Sequence, residues 1–148
     1  MATIKYVPNR FFYELGIGGN DFLTHSYKLA LLGSGFTFDV KAHGTYGDVS
    51  ASEIAAGNGY ATGGYDVLIE AAWAQDDVND RAEIVFEDVV IVADGADLPV
   101  FSAAVVYNDT HASDIIVGCL QIGVDVLVTN GNQFQLQQIS FRLRMPNT

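Results

Sequence analysis

The sequence predicts an all-β protein, an antiparallel β-sandwich or jelly-roll-like domain with one short helix near residues 51–56. Two observations support this prediction. From residue 26 onward, apolar and polar residues alternate in about eight short segments, which is the period of half-buried strands. Clusters of Gly, Asn, Asp and Pro separate these segments and leave no room for the long crossover helices that parallel strands require.

The chain has the length of a single domain, 148 residues. We expect an N-terminal segment, residues 1–24, followed by a single β-rich domain, residues 25–148. The segment carries Phe11, Phe12 and Tyr13 just before a glycine-rich stretch. These aromatic residues either pack on their own domain, which the general burial of apolar residues favours, or form an interface with a neighbouring subunit.

The predicted strands follow in order after residue 26. Tyr27, Leu29 and Leu31 alternate on one face of the first strand. Alternation or apolar runs then mark residues 65–71, 82–87, 89–92, 100–107, 115–120 and 124–128. Residues 89–92 are all apolar, so we expect this strand to be buried on both faces. We expect Trp73, which follows one of these strands, to pack in the core.

Two features of the C-terminal part predict how its strands connect. Asn130-Gly131 lies between two apolar runs and predicts a β-hairpin. In the last strand the apolar parity changes at Gln137–Gln138. Such a phase change predicts a β-bulge, because a regular strand would turn half of these side chains into water.

The stretch from residue 45 to residue 64 is the only one with helical punctuation. Ser50 and Glu53 have the S-x-x-E spacing of a capping box, which predicts a helix over residues 51–56. Gly57 is placed to end that helix. So short a helix needs tertiary packing to persist. The residues expected to pin it are Tyr46, Val49, Ile54 and Tyr60.

The same stretch is rich in glycine. Gly57, Gly59, Gly63 and Gly64 fall within eight residues and are expected to turn the chain toward the next strand. This cluster and the earlier Gly16–Gly19 lack the lysine of a phosphate-binding loop and the spacing of a dinucleotide site. Structural roles are therefore predicted for Ser50, Glu53 and the four glycines.

Several stretches together resemble a family of small virion proteins of tailed bacteriophages. The resemblance covers most of the chain after about residue 20 and is weaker through Trp73 and residues 104–110. It departs from the family pattern at Gly47, where a polar residue is more common. The matching positions are Lys28–Leu31, Asp39, His43, Asp48–Glu53, Gly57–Gly64 and residues 104–110.

The resemblance implies a capsid decoration or cement protein. Such a protein is made in the host bacterial cytoplasm, binds the major capsid protein on the outer surface of the virion and associates with itself as a homotrimer. It has no catalytic activity and no cofactor. The alternative is a head or tail fibre component, an adhesin that stacks host surface glycans on exposed tyrosines and Trp73. A tail-tube or connector component is a weaker third interpretation.

Charge narrows the range of partners. Eighteen Asp and Glu oppose seven Lys and Arg, giving a net charge of −11. A nucleic acid backbone requires a basic surface, so direct binding to nucleic acid is not expected. No apolar run reaches the ~20 residues of a membrane-spanning helix, and we expect no membrane partner.

No catalytic, cofactor-binding or metal-binding residue is predicted. His25, His43 and His111 are far apart in the sequence and lack the spacing of helical metal ligands. The acidic turn at residues 76–80 fails the register of a calcium loop, because Val78 falls at a ligand position. Cys119 lies in an apolar run and is expected to be a buried thiol.

Overall fold

A computed structural model describes residues 2–144 of the chain and is mostly β-structure. Two short α-helices are present, α1 (Asn9–Ile17) and α2 (Tyr46–Val49), and a 3₁₀ helix, Ser50–Ser52, continues α2. The strands are β1 (Tyr27–Gly33), β2 (Tyr65–Val67), β3 (Ile69–Asp76), β4 (Arg81–Phe86), β5 (Val89–Val92), β6 (Phe101–Asn108), β7 (Ile116–Val126), β8 (Gln133–Leu136) and β9 (Ser140–Leu143).

The strands form three antiparallel sheets. The largest has four strands in the order β2-β1-β6-β7, the second has the order β3-β4-β9, and the third pairs β5 with β8. All pairings between these strands are antiparallel, as the sequence predicts. The all-β antiparallel fold is therefore confirmed. Among residues 2–144, no helix has the length and apolar character needed to cross a membrane.

The main core lies between the four-stranded sheet and the two smaller sheets. Tyr27, Leu29 and Leu31 face it from β1, as their alternation predicts. The smaller sheets contribute Ile84 from β4 and Ile91 from β5, and neither side chain is exposed. Residues 2–24 belong to the same core, through Ile4, Phe11 and Phe22.

The opposite face of the four-stranded sheet is covered as well. Ala30 and Leu32 of β1 point to that side and pack with Phe38 and Val49 from the connection between β1 and β2. Strands buried on both faces read as continuous apolar runs, which is what β1 and β6 show. By contrast, β5 buries only one face, because Val90 is exposed, so the prediction of a doubly buried strand there is wrong.

The helices differ from the prediction. The sequence predicts one helix near residues 51–56, whereas α2 and the 3₁₀ helix end at Ser52 and residues 53–56 are not helical. Helix α1 was not predicted. It lacks a side-chain cap at its start, and its aromatic residues favour strands, so the usual helix signals are weak.

The turn at Asn130-Gly131 forms, but the hairpin does not. Gly131 has a positive φ of 84°, and the amide of Asn132 donates to the carbonyl of Thr129. The strand that follows, β8, pairs with β5 and not with β7. The hairpin prediction is wrong because the turn joins two different sheets.

The predicted change of parity at Gln137–Gln138 is present, but it marks a crossing between two sheets and not a bulge within one strand. Residues 133–136 pair with β5, whereas residues 140–143 pair with β4. Gln138 has a positive φ of 46°, and its amide donates to Asp88 Oδ1 at 2.8 Å. The chain therefore passes from one sheet to another here, as strands do at the corners of β-sandwiches.

Candidate interaction surface

One buried aromatic ring, that of Phe11, packs helix α1 against the rest of the domain. The side chain of Phe11 is fully buried and contacts Phe22 and Phe141 at centroid distances of 5.9 and 5.2 Å. At the start of the helix, the Asn9 amide donates to the carbonyl of Val40. Phe11 was one of three predicted interface residues, and this part of the prediction is wrong because its ring fills its own core.

A buried carboxylate provides the second anchor of α1. Glu14 is 3% exposed and accepts a hydrogen bond from Arg10 Nε at 2.7 Å, and His111 Nε2 lies 3.3 Å from its other oxygen. The guanidinium of Arg10 holds the pKa of Glu14 below its usual value, against the effect of burial. Gly19 lies directly over the carboxylate, where a Cβ would be 1.9 Å from Glu14 Oε2.

The loop that carries His111 is itself fixed by a buried amide. Asn108 is fully buried, and its side-chain oxygen accepts hydrogen bonds from the amides of Thr110 and His111 at 3.0 and 3.1 Å. Its side-chain nitrogen donates to Asn20 Oδ1 at 2.8 Å, which also ties the loop to the segment after α1. The orientation of α1 is therefore set from two sides.

The outer face of α1 is apolar and exposed. Phe12, Tyr13 and Ile17 are 47%, 62% and 61% exposed. Tyr13 and Ile17 are one turn apart and form one row, and Phe12 lies in the neighbouring row with Gly16. Gly16 is exposed, and a Cβ added to it would have no neighbour within 4 Å. The predicted interface residues Phe12 and Tyr13 are thus available for contact. We call Phe12, Tyr13, Gly16 and Ile17 the α1 face.

The N-terminal segment that contains α1 differs in charge from the rest of the sequence. Residues 2–24 contain two cations, Lys5 and Arg10, and two acids, Glu14 and Asp21. This segment is neutral overall, so the net charge of −11 resides in residues 25–148.

A second cluster of polar side chains lies under the stretch from residue 45 to residue 64. The carboxylate of Glu53 accepts hydrogen bonds from the hydroxyls of Tyr46 and Tyr60 and from the amide of Gly63. The Tyr60 oxygen also accepts from the amide of Leu31 on β1 at 3.0 Å. We call this set the Glu53 cluster. It ties the helical turn to the central sheet, and Val49, Ile54 and Tyr60 are buried as predicted.

Burial and the Glu53 carboxylate change the pKa values of the two tyrosines in this cluster. Burial, together with the carboxylate, raises the pKa of Tyr46 to about 12 and also raises the pKa of Tyr60. The Tyr107 ring stacks on Tyr46 at 4.7 Å, and its hydroxyl donates to the Gly63 carbonyl at 2.6 Å. The hydroxyls are therefore protonated donors at neutral pH, which is a structural role.

The capping box lies elsewhere than predicted. Ser50 Oγ donates to the carbonyl of Gly47 at 3.1 Å, and it does not cap a helix at residue 51. The Asp48 carboxylate accepts from the amide of Thr45 at 2.9 Å and from that of Gly44 at 3.0 Å. Helix α2 is thus capped by the pair Thr45 and Asp48, whose T-x-x-D spacing was also visible in the sequence.

The four glycines of this stretch turn the chain as predicted, although Gly57 does not end a helix. All four have positive φ. Gly64 is the most constrained, since a Cβ there would lie 1.8 Å from the carbonyl oxygen of Leu29. At Gly59 a Cβ would lie 2.5 Å from the Val92 carbonyl oxygen. The two glycines therefore allow close backbone approach as well as positive φ.

The histidines and the cysteine have separate surroundings. His43 packs between Phe36 and Phe38, His25 contacts Asn108, and His111 contacts Glu14. Within residues 2–144, no group of three His, Cys, Asp or Glu side chains is placed to hold a metal ion. Cys119 is buried, as predicted, and burial raises the pKa of its thiol to about 12.

The aromatic platform expected of an adhesin is not assembled. Trp73 packs on Phe22 at 5.0 Å, and it is half-buried against the core. Tyr60 is buried. Tyr60 and Trp73 are therefore not parts of one exposed stacking surface, and the prediction that Trp73 packs in the core is the better one.

A polar cleft of about 480 Å³ lies along β6 and β7 of the four-stranded sheet and the turn after β1. Its polar groups already have partners. Ser34 Oγ donates to Asp125 at 2.8 Å, and Gln121 Nε2 donates to the Phe36 carbonyl at 2.9 Å. Of the surfaces formed by residues 2–144, the α1 face is the better candidate for an interaction.

No protein-family model, curated protein or solved structure matches this chain.

Proposed function

We propose that the protein is a bacteriophage virion structural protein, a capsid decoration or cement protein that binds the outer surface of the major capsid lattice and stabilises it. The observation that carries the proposal is the α1 face, an exposed aromatic surface on a helix that is fixed to the body by a buried ring and a buried carboxylate. The resemblance at Asp48–Glu53 and Gly57–Gly64 supports the identification of the family.

In this proposal the mechanism is binding without chemistry. A homotrimer presents three shell-binding surfaces, so that three contacts with the major capsid protein act together. Linked contacts raise apparent affinity about 10²–10⁴-fold over one contact. The acidic body, with a net charge of −11, repels packaged nucleic acid and suits an outer position.

Purified virions test the proposal. Particles that lack this protein are expected to assemble and then to rupture at a lower temperature than wild-type particles, and adding the purified protein back should restore the difference. The copy number, measured on a gel against the major capsid band, should be comparable to that of the capsid protein. A fibre component would be present in far fewer copies.

Three outcomes would contradict the proposal. If no shells form without the protein, it is an assembly factor. If rupture is unchanged and only adsorption to host cells falls, it is an adhesin. If the protein is absent from virions, it has no structural role there. Point variants are preferable to deletion of the N-terminal segment, because Ile4 and Phe11 lie in the core.

A further inference from the structure

We propose that His25 is a pH-sensitive switch, which joins the loop after α1 (residues 20–25) to the end of β6 at neutral pH and releases that loop in acid. The switch is independent of the proposed function. It rests on one hydrogen-bond network around Asn108, in which the backbone determines the role of each side-chain atom.

The side chain of Asn108 has one possible orientation. Its oxygen accepts hydrogen bonds from the backbone amides of Thr110 and His111 at 3.0 and 3.1 Å, and a flipped side chain would point donors at these donors. Its Nδ2 therefore lies on the other side, 2.8 Å from Asn20 Oδ1 and 2.8 Å from His25 Nδ1. Both protons of Nδ2 are used in these two bonds.

The Nδ1 atom of His25 must therefore be an acceptor. It accepts from Asn108 Nδ2, and the backbone amide of Asp21 donates to the same atom at 3.3 Å. A ring nitrogen that accepts carries no proton, so the proton of neutral His25 is on Nε2. Acid adds a second proton, and Nδ1 is the one position left for it. That proton would face two N–H donors, so charged His25 does not fit the closed loop.

The ionisable groups around His25 are mostly acidic. They are Asp21 in the same loop, Asp66 of β2 with its partner Lys28, Tyr27 of β1 and Asp109 after β6. Burial raises the pKa of Tyr27, so its hydroxyl stays protonated. The carboxylates favour a charged imidazole, whereas the two donors leave no place for the second proton while the loop is closed. His25 is half-buried, so protons reach it from solvent.

The sign of the pH dependence follows from the number of bound protons. A free imidazole gains its second proton near about pH 6.5, so below that value the open loop binds one proton more than the closed loop. Opening is therefore favoured as the pH falls, by up to about tenfold per pH unit. This range lies above 4.5, the ordinary pKa of Glu14, so the two effects can be separated.

NMR spectroscopy of the purified full chain tests the proposal in two steps. At about pH 8, the nitrogen chemical shifts of His25 should show a proton on Nε2 and none on Nδ1. Hydrogen exchange of the Asp21 backbone amide and the Asn108 side-chain amide, corrected for intrinsic rates, then measures opening. We expect opening to increase about tenfold between about pH 6 and about pH 5.

His25→Asn is the decisive variant. The Asn oxygen occupies the position of Nδ1 relative to Cβ and accepts hydrogen bonds at every pH, so the acid dependence of opening at Asp21 should disappear. His43→Asn is the matched control. His43 Nδ1 accepts from the backbone amide of Asp39 at 2.9 Å, with the same sequence spacing but in an exposed turn. This control should keep the wild-type response at Asp21 and Asn108.

Either of two results overturns the proposal. One is a proton on Nδ1 of His25 at about pH 8, and the other is an equal pH dependence of opening in wild type and His25→Asn. If His25→Asn does not fold, wild type decides. Opening at Asp21 and Asn108 that stays constant between about pH 6 and about pH 5 then contradicts the switch.

Discussion

Two short helical segments are fixed to the same β-body in different ways. Helix α1 is anchored by Glu14, whose carboxylate is buried between Arg10 and His111. The segment that contains α2 is anchored by Glu53, whose carboxylate accepts hydrogen bonds from two tyrosine hydroxyls and a backbone amide. In both cases one carboxylate oxygen pair organises a helix that is too short to be stable alone.

The difference lies in the partners. Glu14 is paired with side chains that are or can become positively charged, so its anchor depends on the charge of the carboxylate. Glu53 is held by neutral donors, and the pKa of both tyrosines is raised, so these donors stay protonated over a wide pH range. The α1 anchor therefore responds to pH and charge, whereas the anchor of α2 depends mainly on the positions of its hydrogen-bond donors.

Gly64→Ala is expected to cause the largest loss of stability, because it would disturb the backbone beside Gly63, which belongs to the Glu53 cluster. The new Cβ would lie 1.8 Å from the Leu29 carbonyl oxygen, and φ is +86°. We expect a loss of about 4 kcal/mol in the free energy of unfolding, or failure to fold. Gly35→Ala is the matched control, because φ there is +77° but no atom lies within 4 Å. Equal losses for both, measured by urea unfolding, would show that the close approach is unimportant.

Glu53→Ala is expected to have the next largest effect. It removes the acceptor of two hydroxyls and one amide, which are left without a partner inside the cluster. Unsatisfied buried donors cost about 1–3 kcal/mol each, so we expect a total loss of about 3 kcal/mol in stability. Glu87→Ala serves as the control, since Glu87 is exposed. A melting temperature equal to that of the control variant would contradict the role of Glu53.

Glu14→Gln should cost about 2 kcal/mol at neutral pH, since a hydrogen bond between charged groups is replaced by a neutral one. The wild type supplies a pH test. Because the folded-state pKa of Glu14 is lowered, its contribution to stability is present above the ordinary pKa of 4.5 and is lost as the pH falls through the folded-state pKa. Urea unfolding as a function of pH should show the difference between wild type and variant shrinking in that range. A constant difference would contradict the ionic anchor.

The smallest effects separate the two possible capping boxes. Asp48→Ala should cost about 1 kcal/mol, because the amides of Gly44 and Thr45 lose their acceptor. Ser50→Ala should change stability by less than about 0.5 kcal/mol, because its hydroxyl only donates to the Gly47 carbonyl on the surface. Thermal unfolding of both variants gives the order. The reverse order would restore the capping box that the S-x-x-E spacing predicts.

Alternation was sufficient to predict the class of fold, and the need of a short helix for tertiary contacts predicted the packing of the central stretch. Val49, Ile54 and Tyr60 are buried because they are the apolar residues of a short turn that must be pinned. Alternation could not show where strands change sheet. Tyr65, Val67 and Ile69 keep one parity, yet β2 and β3 belong to different sheets. Parity records which face is buried, and it carries no information on which sheet a strand joins.

The anchors of both helices were beyond sequence reasoning for a related reason. Glu53 has the spacing of a helix cap, but its partners in the structure are Tyr46 and Tyr60, seven residues away, and Gly63, ten residues away. Glu14 is an acid, a residue type that is usually exposed, and its burial depends on Arg10 and on His111, which is distant in sequence. Signals for α1 did exist, namely Pro8 before its start and Gly18 after its end.

The two ends of the described chain are bound to one another, and this has a consequence for synthesis. The amide of Ala2 donates to the Gln137 carbonyl, and the amide of Ser140 donates to the Ala2 carbonyl. Strands β8 and β9 also complete the two smaller sheets. During translation, β4 and β5 must therefore wait, each with an unpaired edge, until β8 and β9 have left the ribosome. That interval is when the nascent chain is most prone to aggregate, since exposed strand edges are templates for wrong pairing.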